Sequence, residues 1–463
     1  MTIKSTTHPL YSVPLAYAVD AAVRYYSAIA DLSWPMWLDS SGHGRYDILC
    51  AQPVTLLVTQ GLHTEVRDTT GSQWMTDDPF DLLRRYLAPS INETPDIPFL
   101  GGAVGYWGYD LARRLLVIPT QAQDNEKLPE MAVGIYDWAI VIDHQKKRAK
   151  LVSQQRSPDT AQVLPKILQR LQHATPVRAH NAFQVQGLIR SNFTRAEYQS
   201  AFDQVQGYLS AGDCYQVNLA QRYAASASGE ALQAYLVLRQ MTEAPYSAFM
   251  NLPGLQILCA SPENFLQVLR GQVITRPIKG TRPRRQDAEQ DRQMANELLH
   301  SAKDRAENLM IVDLLRNDLG KSCIPGSVKT PRLFELESFA QVHHLVSTIT
   351  AQLAPGHDAL SLLRSCFPGG SVTGAPKQRA MEIIEQLEPH RRGIYCGAMG
   401  YIGYDGNMDT NIAIRTLVYA KNEIRFWVGG GIVADSDASA EYQETLDKAK
   451  AMLQLLRQFG GSA

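Results

Sequence analysis

A nine-residue glycine pattern occurs twice in this chain, once in each half. Residues 102–110 are Gly-Ala-Val-Gly-Tyr-Trp-Gly-Tyr-Asp, and residues 397–405 are Gly-Ala-Met-Gly-Tyr-Ile-Gly-Tyr-Asp. Glycine inside a strand often marks a place where another backbone approaches closely. The pattern therefore predicts two strands that need small residues at close backbone contacts. The alternative interpretation is an old duplication that packs two related sheets together.

Three regions follow one another along the chain. Residues 1–155 mix short β-rich runs with Gly and Pro breaks, and residues 156–190 are polar, which predicts a short helix and a linker. Residues 191–457 carry most of the chemical signals. Strands and helices are both plentiful but do not alternate regularly. That favours an α+β fold with antiparallel sheets over a doubly wound parallel sheet.

Helix signals are clearest in the third region. Thr194 and Glu197 form a capping-box pattern that predicts the start of an amphipathic helix. Residues 287–317 predict one long helix that ends near Gly320, and residues 438–457 predict the closing helix.

Charge and composition exclude several classes of protein. Lys and Arg number 45 against 46 Asp and Glu, so there is no basic excess of the kind that nucleic-acid binding requires. No apolar run approaches the roughly 20 residues that span a bilayer. The N-terminus has no apolar segment typical of a secretory signal. The six cysteines are scattered without a C-x-x-C pair, which predicts reduced thiols in a cytoplasmic protein.

Two helical segments carry paired acids at a spacing of three residues. Asp304 and Glu307 form one pair, and Glu441 and Glu444 form the other. This spacing places both acids of a pair on one helix face. Two such faces that converge would supply oxygen ligands for Mg²⁺. The alternative is a pair of solvated helix faces.

Two further segments suggest binding of an anion. Gly429–Gly431 follows the predicted strand 424–428, and three glycines allow backbone N–H groups to approach an anionic ligand. A plain turn is the alternative. In residues 411–416, strand alternation places Arg415 on one face with Asn411 and Ala413. An Arg among small residues suggests a carboxylate partner, unless the strand is exposed.

Three residues are candidates for the chemical steps. Lys279 lies in the apolar turn 277–281, where desolvation would lower its pKa and free the amine as a nucleophile. Glu263 follows the predicted strand 255–260 and could move a proton. His344 lies near an apolar strand, where a core histidine is the common alternative. An ordinary surface lysine before a turn is the alternative for Lys279, and the local sequence alone favours it.

Taken together, these stretches resemble the chorismate-utilising enzymes, which include anthranilate synthase component I, isochorismate synthase and salicylate synthase. The resemblance implies two intertwined α/β subdomains whose antiparallel sheets form a sandwich flanked by helices. Residues 1–155 resemble the family's N-terminal region more weakly, and residues 191–457 resemble its chorismate-binding catalytic domain. The segments that carry the resemblance are 261–265 (SPENF), 277–281 (PIKGT), 306–320 (AENLMIVDLLRNDLG), 344–347 (HLVS), 367–377 (FPGGSVTGAPK), Arg415, 429–431 (GGG) and 441–448 (EYQETLDK).

The resemblance also implies a reaction and roles for individual residues. Lys279 would attack C2 of chorismate and expel the C4 hydroxyl, and ammonia would then displace Lys279 to give 4-amino-4-deoxychorismate, a precursor of p-aminobenzoate and folate. Glu263 would move the proton, and His344 would lie near the leaving oxygen. The remaining implied roles are Mg²⁺ binding by Glu307 and Glu444, supported by Asp304 and Glu441, and substrate binding by Gly280, Thr281, Tyr395, Arg415, Gly429, Gly430, Gly431 and Lys448.

Partners follow from the same resemblance. The chain has no G-x-C-x-G nucleophile elbow, so ammonia is expected from a separate glutamine amidotransferase subunit in a heterodimer, with free ammonium as a substitute. The family's L-tryptophan pocket is another expectation, and core packing between subdomains is its alternative. The residues that match the pocket are Ser40, Arg45, Tyr46, Pro245, Tyr246 and Ser247.

Two competing functions remain at this stage. Anthranilate synthase component I has the same implied fold, but its family members typically carry Ala in place of Lys279. A non-catalytic, amino-acid-binding scaffold for an amidotransferase has no need of Lys279, Glu263 and two acid pairs together.

Overall fold

The computed structural model describes residues 10–87, 96–174, 182–339 and 342–462. Its strands are β1 (Tyr11–Leu15), β2 (Met36–Asp39), β3 (Tyr46–Cys50), β4 (Thr55–Gln60), β5 (His63–Asp68), β6 (Gly71–Met75), β7 (Gly102–Trp107), β8 (Met131–Tyr136), β9 (Trp138–Asp143), β10 (Arg148–Ser153), β11 (Gln184–Ser191), β12 (Gln216–Ser228), β13 (Tyr246–Leu252), β14 (Leu255–Ser261), β15 (Asn264–Leu269), β16 (Gln272–Thr275), β17 (Ile278–Pro283), β18 (Lys329–Ser338), β19 (Val342–Gln352), β20 (Gly374–Ala375), β21 (Ala398–Gly403), β22 (Met408–Ile412), β23 (Thr416–Ala420) and β24 (Glu423–Ile432). Its α-helices are α1 (Ala21–Ile29), α2 (Pro79–Leu87), α3 (Thr160–Gln172), α4 (Arg195–Ser210), α5 (Leu232–Thr242), α6 (Ala288–His300), α7 (Ala302–Gly320), α8 (Ala359–Cys366), α9 (Lys377–Leu387) and α10 (Ala438–Gln458).

The strands form two antiparallel sheets that each draw on both ends of the chain. The first sheet has the order β1-β10-β9-β3-β2-β13-β14-β23-β24-β12-β11, with β20 beside β12. The second has the order β17-β19-β16-β15-β22-β21-β7-β8-β4-β5-β6, with β18 beside β19. In each sheet, strands that precede residue 155 continue directly into strands from the C-terminal region. The expected intertwined α+β architecture is therefore confirmed.

The repeated glycine pattern forms two neighbouring strands. β7 and β21 pair antiparallel, with Gly105 opposite Gly400. A Cβ on Gly105 would lie 2.2 Å from the carbonyl oxygen of Ala132, and one on Gly400 would lie 2.0 Å from that of Asp409. The prediction of close backbone contacts is confirmed. The alternative of two related sheets packed together is wrong, because both copies lie in the second sheet.

The largest hydrophobic cluster lies between the sheets and includes residues from both. The side chains of β9 contribute to two hydrophobic clusters, because successive side chains of a strand point to opposite faces of the sheet. Ala139 and Val141 contribute to the cluster between the sheets, whereas Ile140 and Ile142 face a layer built from α1, α3, α5 and α10. This packing fixes the strand ends from which the site residues project.

The helices begin and end close to the predicted positions, with one exception. The capping box at Thr194 and Glu197 is present at the start of α4, and α10 is the predicted closing helix. The predicted single helix over 287–317 is two helices. Ser301 has extended backbone and its side chain accepts a hydrogen bond from the N–H of Asp304, so it caps α7 and separates it from α6.

Within the described ranges, no helix combines the length and apolar character needed to cross a bilayer. All six cysteines are buried and none forms a disulfide. The division into regions 1–155, 156–190 and 191–457 stays a prediction; the last residues of the expected linker form β11, which pairs with β12.

Candidate active site

Lys279 lies in a β-bulge at the edge of the second sheet. β17 pairs with β19 through Ile278 opposite Val346 and Thr281 opposite His344, and the register shifts between these two pairs. A bulge of this kind redirects a side chain out of the strand's regular alternation. Gly280 makes the bulge feasible, because its φ is +83° and an added Cβ would lie 3.0 Å from the Cβ of Asp304.

Glu263 is buried at the junction of β14 and β15. Burial raises the pKa of its carboxyl to about 7, while a hydrogen bond from the Ser371 side chain, the charge of Lys279 and the backbone N–H of Ile278 act in the opposite direction. Burial lowers the pKa of Lys279, although the charge of Glu307 opposes the shift. An acid and an amine with pKa values displaced toward each other can exchange a proton near neutral pH.

His344 projects from β19 toward Thr281. The Thr281 hydroxyl and His344 Nδ1 are 2.9 Å apart. Burial and the charge of Arg415 lower the pKa of His344 to about 4, so the imidazole is neutral at pH 7. A neutral imidazole can donate or accept one proton at an oxygen placed beside it.

The two acid pairs lie on facing helices and share a lysine. Glu307 on α7 and Glu441 on α10 approach the ammonium of Lys303, at 3.9 Å and 3.3 Å from their Oε1 atoms. Glu444 pairs with Lys448 at 2.6 Å, and Asp304 pairs with Arg282 at 3.1 Å. Burial raises the pKa of Glu307, and nearby Glu441 adds to the shift, so this region favours an additional positive charge. The alternative of two solvated helix faces does not describe Glu441, which is buried.

The chemistry of these carboxylates can be compared with the needs of Mg²⁺. Among the described residues, no group of three or more His, Cys, Asp or Glu side chains is arranged to hold a metal ion. Carboxylate oxygens are nevertheless the ligands that Mg²⁺ prefers, and Mg²⁺ takes only one or two from the protein. Lys303 already supplies a positive charge between Glu307 and Glu441. The residues therefore fit Mg²⁺ in chemistry and charge, with Lys303 as the group that has to move.

The three glycines belong to a strand, not to a loop after it. Gly430 and Gly431 lie in β24 opposite Leu219 and Asn218 of β12. A Cβ on Gly430 would lie 3.1 Å from Oε2 of Glu441, so the backbone at this position lies directly against the acidic helix. The absence of side chains at these glycines therefore lets β24 lie close to α10.

Arg415 is not on a strand face with Asn411 and Ala413, which corrects the sequence-based expectation. β22 ends at residue 412 in the second sheet and β23 begins at residue 416 in the first, so the chain crosses between sheets here. Arg415 has a left-handed backbone with φ of 52°. Its Nη1 donates to the carbonyl of Lys448 at 2.8 Å.

Arg415, Tyr395 and Lys448 surround the same space. Burial lowers the pKa of Arg415, and the groups of Tyr395 and Glu444 oppose that shift. Tyr395 is buried and stacks on Trp427 with ring centroids 6.2 Å apart. Lys448 Nζ donates to the carbonyl of Gly429 at 2.8 Å. The structure thus gathers cationic groups beside the glycine strand, opposite Lys279.

Two of the residues expected to form a tryptophan pocket, Ser40 and Ser247, lie at the paired ends of β2 and β13. Ser247 lies opposite Asp39, and the Ser247 hydroxyl accepts a hydrogen bond from Ser41 at 3.3 Å. Ser40 donates through both its backbone N–H and its hydroxyl to Asp47. The pocket itself stays a prediction. Of the other matching residues, Arg45 lies over the ring of Tyr46 and pairs with Asp143, and Pro245 and Tyr246 enter β13.

Three residues at the site were not singled out from the sequence. The backbone carbonyl of Ser371 accepts a hydrogen bond from Nζ of Lys279, and Lys303 lies between the acid pairs. The side-chain amide of Gln216 is fully buried beside Gly431, and neither its nitrogen nor its oxygen has a hydrogen-bond partner among the described residues. Ser371 lies within a segment that carried the resemblance, but no local pattern indicates what Ser371 or Gln216 contacts.

Comparison with known proteins places this arrangement in a family. The family of chorismate binding enzymes matches residues 35–454, and the chain belongs to it. The fold agrees with anthranilate synthase component I from Streptococcus pneumoniae, with a TM-score of 0.80 and 32% identity over 88% of this chain and 92% of that one.

Two relatives within the family differ in their identity to this chain. The chain is 48% identical to aminodeoxychorismate synthase component 1 from Salmonella typhimurium, over 95% of this chain and 97% of the relative. It is 38% identical to anthranilate synthase component 1 from Streptomyces coelicolor, over 92% of this chain and 83% of the relative.

Proposed function

We propose that this chain converts chorismate and ammonia to 4-amino-4-deoxychorismate, for synthesis of p-aminobenzoate and folate. The observation that carries the proposal is the lysine amine of Lys279, placed by a β-bulge beside the buried acid Glu263. The 48% identity to aminodeoxychorismate synthase component 1 supports it, against 38% for an anthranilate synthase component 1. A non-catalytic scaffold has no use for an amine and an acid with pKa values displaced toward each other.

The first chemical step uses Lys279 as a nucleophile. The amine must lose its proton, and Glu263, whose carboxyl interacts with the charge of Lys279, is the proposed acceptor. As the nitrogen of Lys279 bonds to C2, both ring double bonds shift, from C1=C2 to C1=C6 and from C5=C6 to C4=C5, and the C4–O bond breaks. Glu263 returns a proton so that the hydroxyl leaves as water, and the proposed place of neutral His344 is near the leaving oxygen. The chain then carries chorismate less one water on Lys279.

The second step exchanges nitrogens. Ammonia bonds to C4, both ring double bonds shift back, and the bond from C2 to Lys279 breaks. A proton passes from the new nitrogen at C4 to the departing Lys279 amine. Within the described ranges the buried amide of Gln216 has no hydrogen-bond partner, and we propose that its carbonyl oxygen accepts a hydrogen bond from ammonia.

The substrate has two carboxylates, and the site offers cations and backbone donors on two sides. Arg415 donates to the Lys448 carbonyl through Nη1. We propose that its other guanidinium N–H groups bind the side-chain carboxylate. Tyr395 and the Gly429–Gly431 strand border the same space. Gly280 and Thr281 lie in and beside the bulge at the other end, where they suit the ring carboxylate.

Mg²⁺ would be held by Glu307 and Glu444, with Glu441 and Asp304 in support. Bound there, it would neutralise charge on the ring carboxylate and orient it. The described acids contribute the negative charge, and Lys303 has to leave the space between Glu307 and Glu441.

The source of ammonia and the remaining partners complete the proposal. Relatives named component 1 support a second subunit, which we propose is a glutamine amidotransferase. We also propose that L-tryptophan binds where Ser40, Arg45–Tyr46 and Pro245–Ser247 meet. The buried, unpaired cysteines support a cytoplasmic location.

Product identification tests this function. The purified chain is incubated with chorismate, Mg²⁺ and ammonium, and the product is identified by liquid chromatography and mass spectrometry. The proposal predicts 4-amino-4-deoxychorismate. Anthranilate as the main product would assign the chain to the other aminating branch, and unconsumed chorismate would support a scaffold.

A further inference from the structure

A fully buried arginine contacts several segments that carry site residues. Arg392 is 1% exposed, and its Nη2 and Nε donate to the carboxylate of Glu388 at 2.6 Å and 3.0 Å. Its guanidinium lies over the rings of Tyr109 and Tyr395, at 4.9 Å and 5.7 Å from the ring centroids. A buried charge is costly unless its N–H groups are hydrogen-bonded, so the other contacts of this guanidinium are also important.

Arg392 joins the 3-10 turn of residues 370–372 to strand β12. Its Nη1 donates to the carbonyl of Val372 at 2.8 Å, and its Nη2 donates to the carbonyl of Asn218 at 2.7 Å. The acid of the pair adds a second link to β12, because Glu388 Oε1 accepts a hydrogen bond from the N–H of Ala220 at 2.9 Å. A guanidinium holds its donors in a rigid planar fork, so it sets the distance between the two carbonyls.

Both segments carry groups that the proposed reaction uses. The carbonyl of Ser371, one residue before Val372, accepts a hydrogen bond from Nζ of Lys279 at 3.4 Å. Gln216, two residues before Asn218, is the buried amide proposed to hold ammonia. The guanidinium fork therefore connects the turn that contacts the proposed nucleophile with the strand that carries the proposed ammonia site.

We propose that Arg392 is a positioning residue for the reaction, which fixes the turn that contacts Lys279 relative to β12. The inference rests on the proposed function, because it assigns Arg392 to the placement of the Lys279 amine. Arg392 acts through the carbonyls of Val372 and Asn218 and not through contact with the substrate.

A conservative substitution separates the charge of Arg392 from its geometry. Arg392→Lys keeps a positive charge beside Glu388, but an ammonium has no planar fork with which to hold two carbonyls at a set distance. A misplacement of about 1 Å at a reacting group can cost roughly 100-fold in rate. We therefore expect the rate constant for adduct formation on Lys279 to fall about 10- to 100-fold in Arg392→Lys.

The test follows the adduct by mass spectrometry of the intact chain after mixing with chorismate and Mg²⁺ in the absence of ammonia. The time course gives an amplitude and a rate constant. A variant that is only less stable loses amplitude, because less of the chain is folded, but its folded fraction reacts with the wild-type rate constant. The rate constant therefore separates a positioning role from a purely structural one.

Arg425→Lys is the matched control. Arg425 is 4% exposed and pairs with the carboxylates of Glu126 and Glu423, so the substitution also replaces a buried, paired guanidinium. It should leave the rate constant for adduct formation unchanged.

A wild-type rate constant in Arg392→Lys, whatever its amplitude, would overturn the inference. Should Arg392→Lys not fold, the double variant Arg392→Gln with Glu388→Gln takes its place, because it removes both buried charges together, and the same fall is expected. A wild-type chain that forms no adduct would contradict the proposed function. A wild-type adduct with an unchanged rate constant in the variant would contradict only the role of Arg392.

Discussion

Lys303 Nζ lies 3.3 Å from Oε1 of Glu441, so a lysine of α7 joins an acid of α10 across the candidate metal site. The same ammonium is 3.9 Å from Oε1 of Glu307. Burial lowers the pKa of Lys303, but the charges of Glu441 and Glu307 outweigh this and raise it overall. Lys303 is therefore an internal cation at the position where Mg²⁺ is proposed to bind.

The first prediction is that Lys303 and Mg²⁺ compete. Lys303→Met should tighten Mg²⁺ binding roughly 3- to 10-fold, since removal of a partly exposed ion pair is worth about 1 kcal/mol. It should also lower the melting temperature of the chain in EDTA, because Glu307 and Glu441 then repel each other. Isothermal titration with Mg²⁺ and a thermal melt measure the two effects.

Lys146→Met is the control for this substitution, because Lys146 forms an exposed ion pair with Asp96 far from the site along the chain. Lys146→Met should leave the Mg²⁺ affinity unchanged, and it should not lower the melting temperature in EDTA as Lys303→Met does. Weaker Mg²⁺ binding in Lys303→Met would show that Lys303 supports the metal and does not compete with it.

The second prediction concerns the metal ligands themselves. Glu307→Gln and Glu444→Gln should each abolish turnover and weaken Mg²⁺ binding at least 10-fold, about 1.4 kcal/mol, while the fold stays intact. Glu289→Gln, on the exposed face of α6, serves as the control. Normal activity and normal Mg²⁺ dependence in both site variants would remove these residues from the metal site.

The third prediction follows from the burial of Glu263. Its pKa is raised from about 4.5 to about 7 in the folded chain, so the folded state binds more protons than the unfolded state between these values. Stability should therefore fall as pH rises from about 4.5 through 7, by at most about 3 kcal/mol from this group. Glu263→Gln should be more stable than the wild type at pH 8 and nearly equal to it at pH 5.

Urea unfolding at pH 5 and pH 8 measures the difference in stability between Glu263→Gln and the wild type. The same variant should also have no activity. A stability gain of equal size at pH 5 and pH 8 would mean that the substitution acts through packing and not through the charge of Glu263.

The fourth prediction concerns the nitrogen source. The isolated chain should use ammonium but not glutamine, because its sequence has no G-x-C-x-G nucleophile elbow. Activity at fixed total ammonium should rise with pH as NH₄⁺ loses its proton, up to the limit set by Glu263 and Lys279. Product from glutamine with the chain alone would rule out the need for a separate amidotransferase.

Some features of the fold were predictable because they have a local physical cause. A glycine within a strand indicates that another backbone lies too close for a Cβ, whichever strand that is. The close contacts of Gly105 and Gly400 could therefore be expected. Ser301 could also have been recognised, since a serine three residues before an acid is a helix cap. The long run of helix formers on both sides concealed it.

Other features depend on contacts that no local pattern contains. Residues 411–415 alternate like a strand, but the chain crosses from one sheet to the other there, and Arg415 adopts a left-handed backbone. The carbonyl of Ser371 meets Lys279 only because the 3-10 turn of residues 370–372 lies beside the bulge in β17. Such pairings are set by tertiary packing, so they become visible only in the folded chain.

The central claim is that Lys279 is a covalent nucleophile, and the mass of the intact chain after reaction with chorismate and Mg²⁺ in the absence of ammonia tests it most directly. A lysine with an ordinary pKa near 10.4 is almost entirely protonated at pH 7, so the lowered pKa of Lys279 is required for attack. We predict an adduct with the mass of chorismate less one water, mapped to Lys279 by peptide mass spectrometry. Lys279→Ala should prevent it, and Lys279→Arg should not restore it because a guanidinium stays protonated. An adduct on another residue, or full activity in Lys279→Ala, would contradict the claim and leave Lys279 as an electrostatic contact to the substrate.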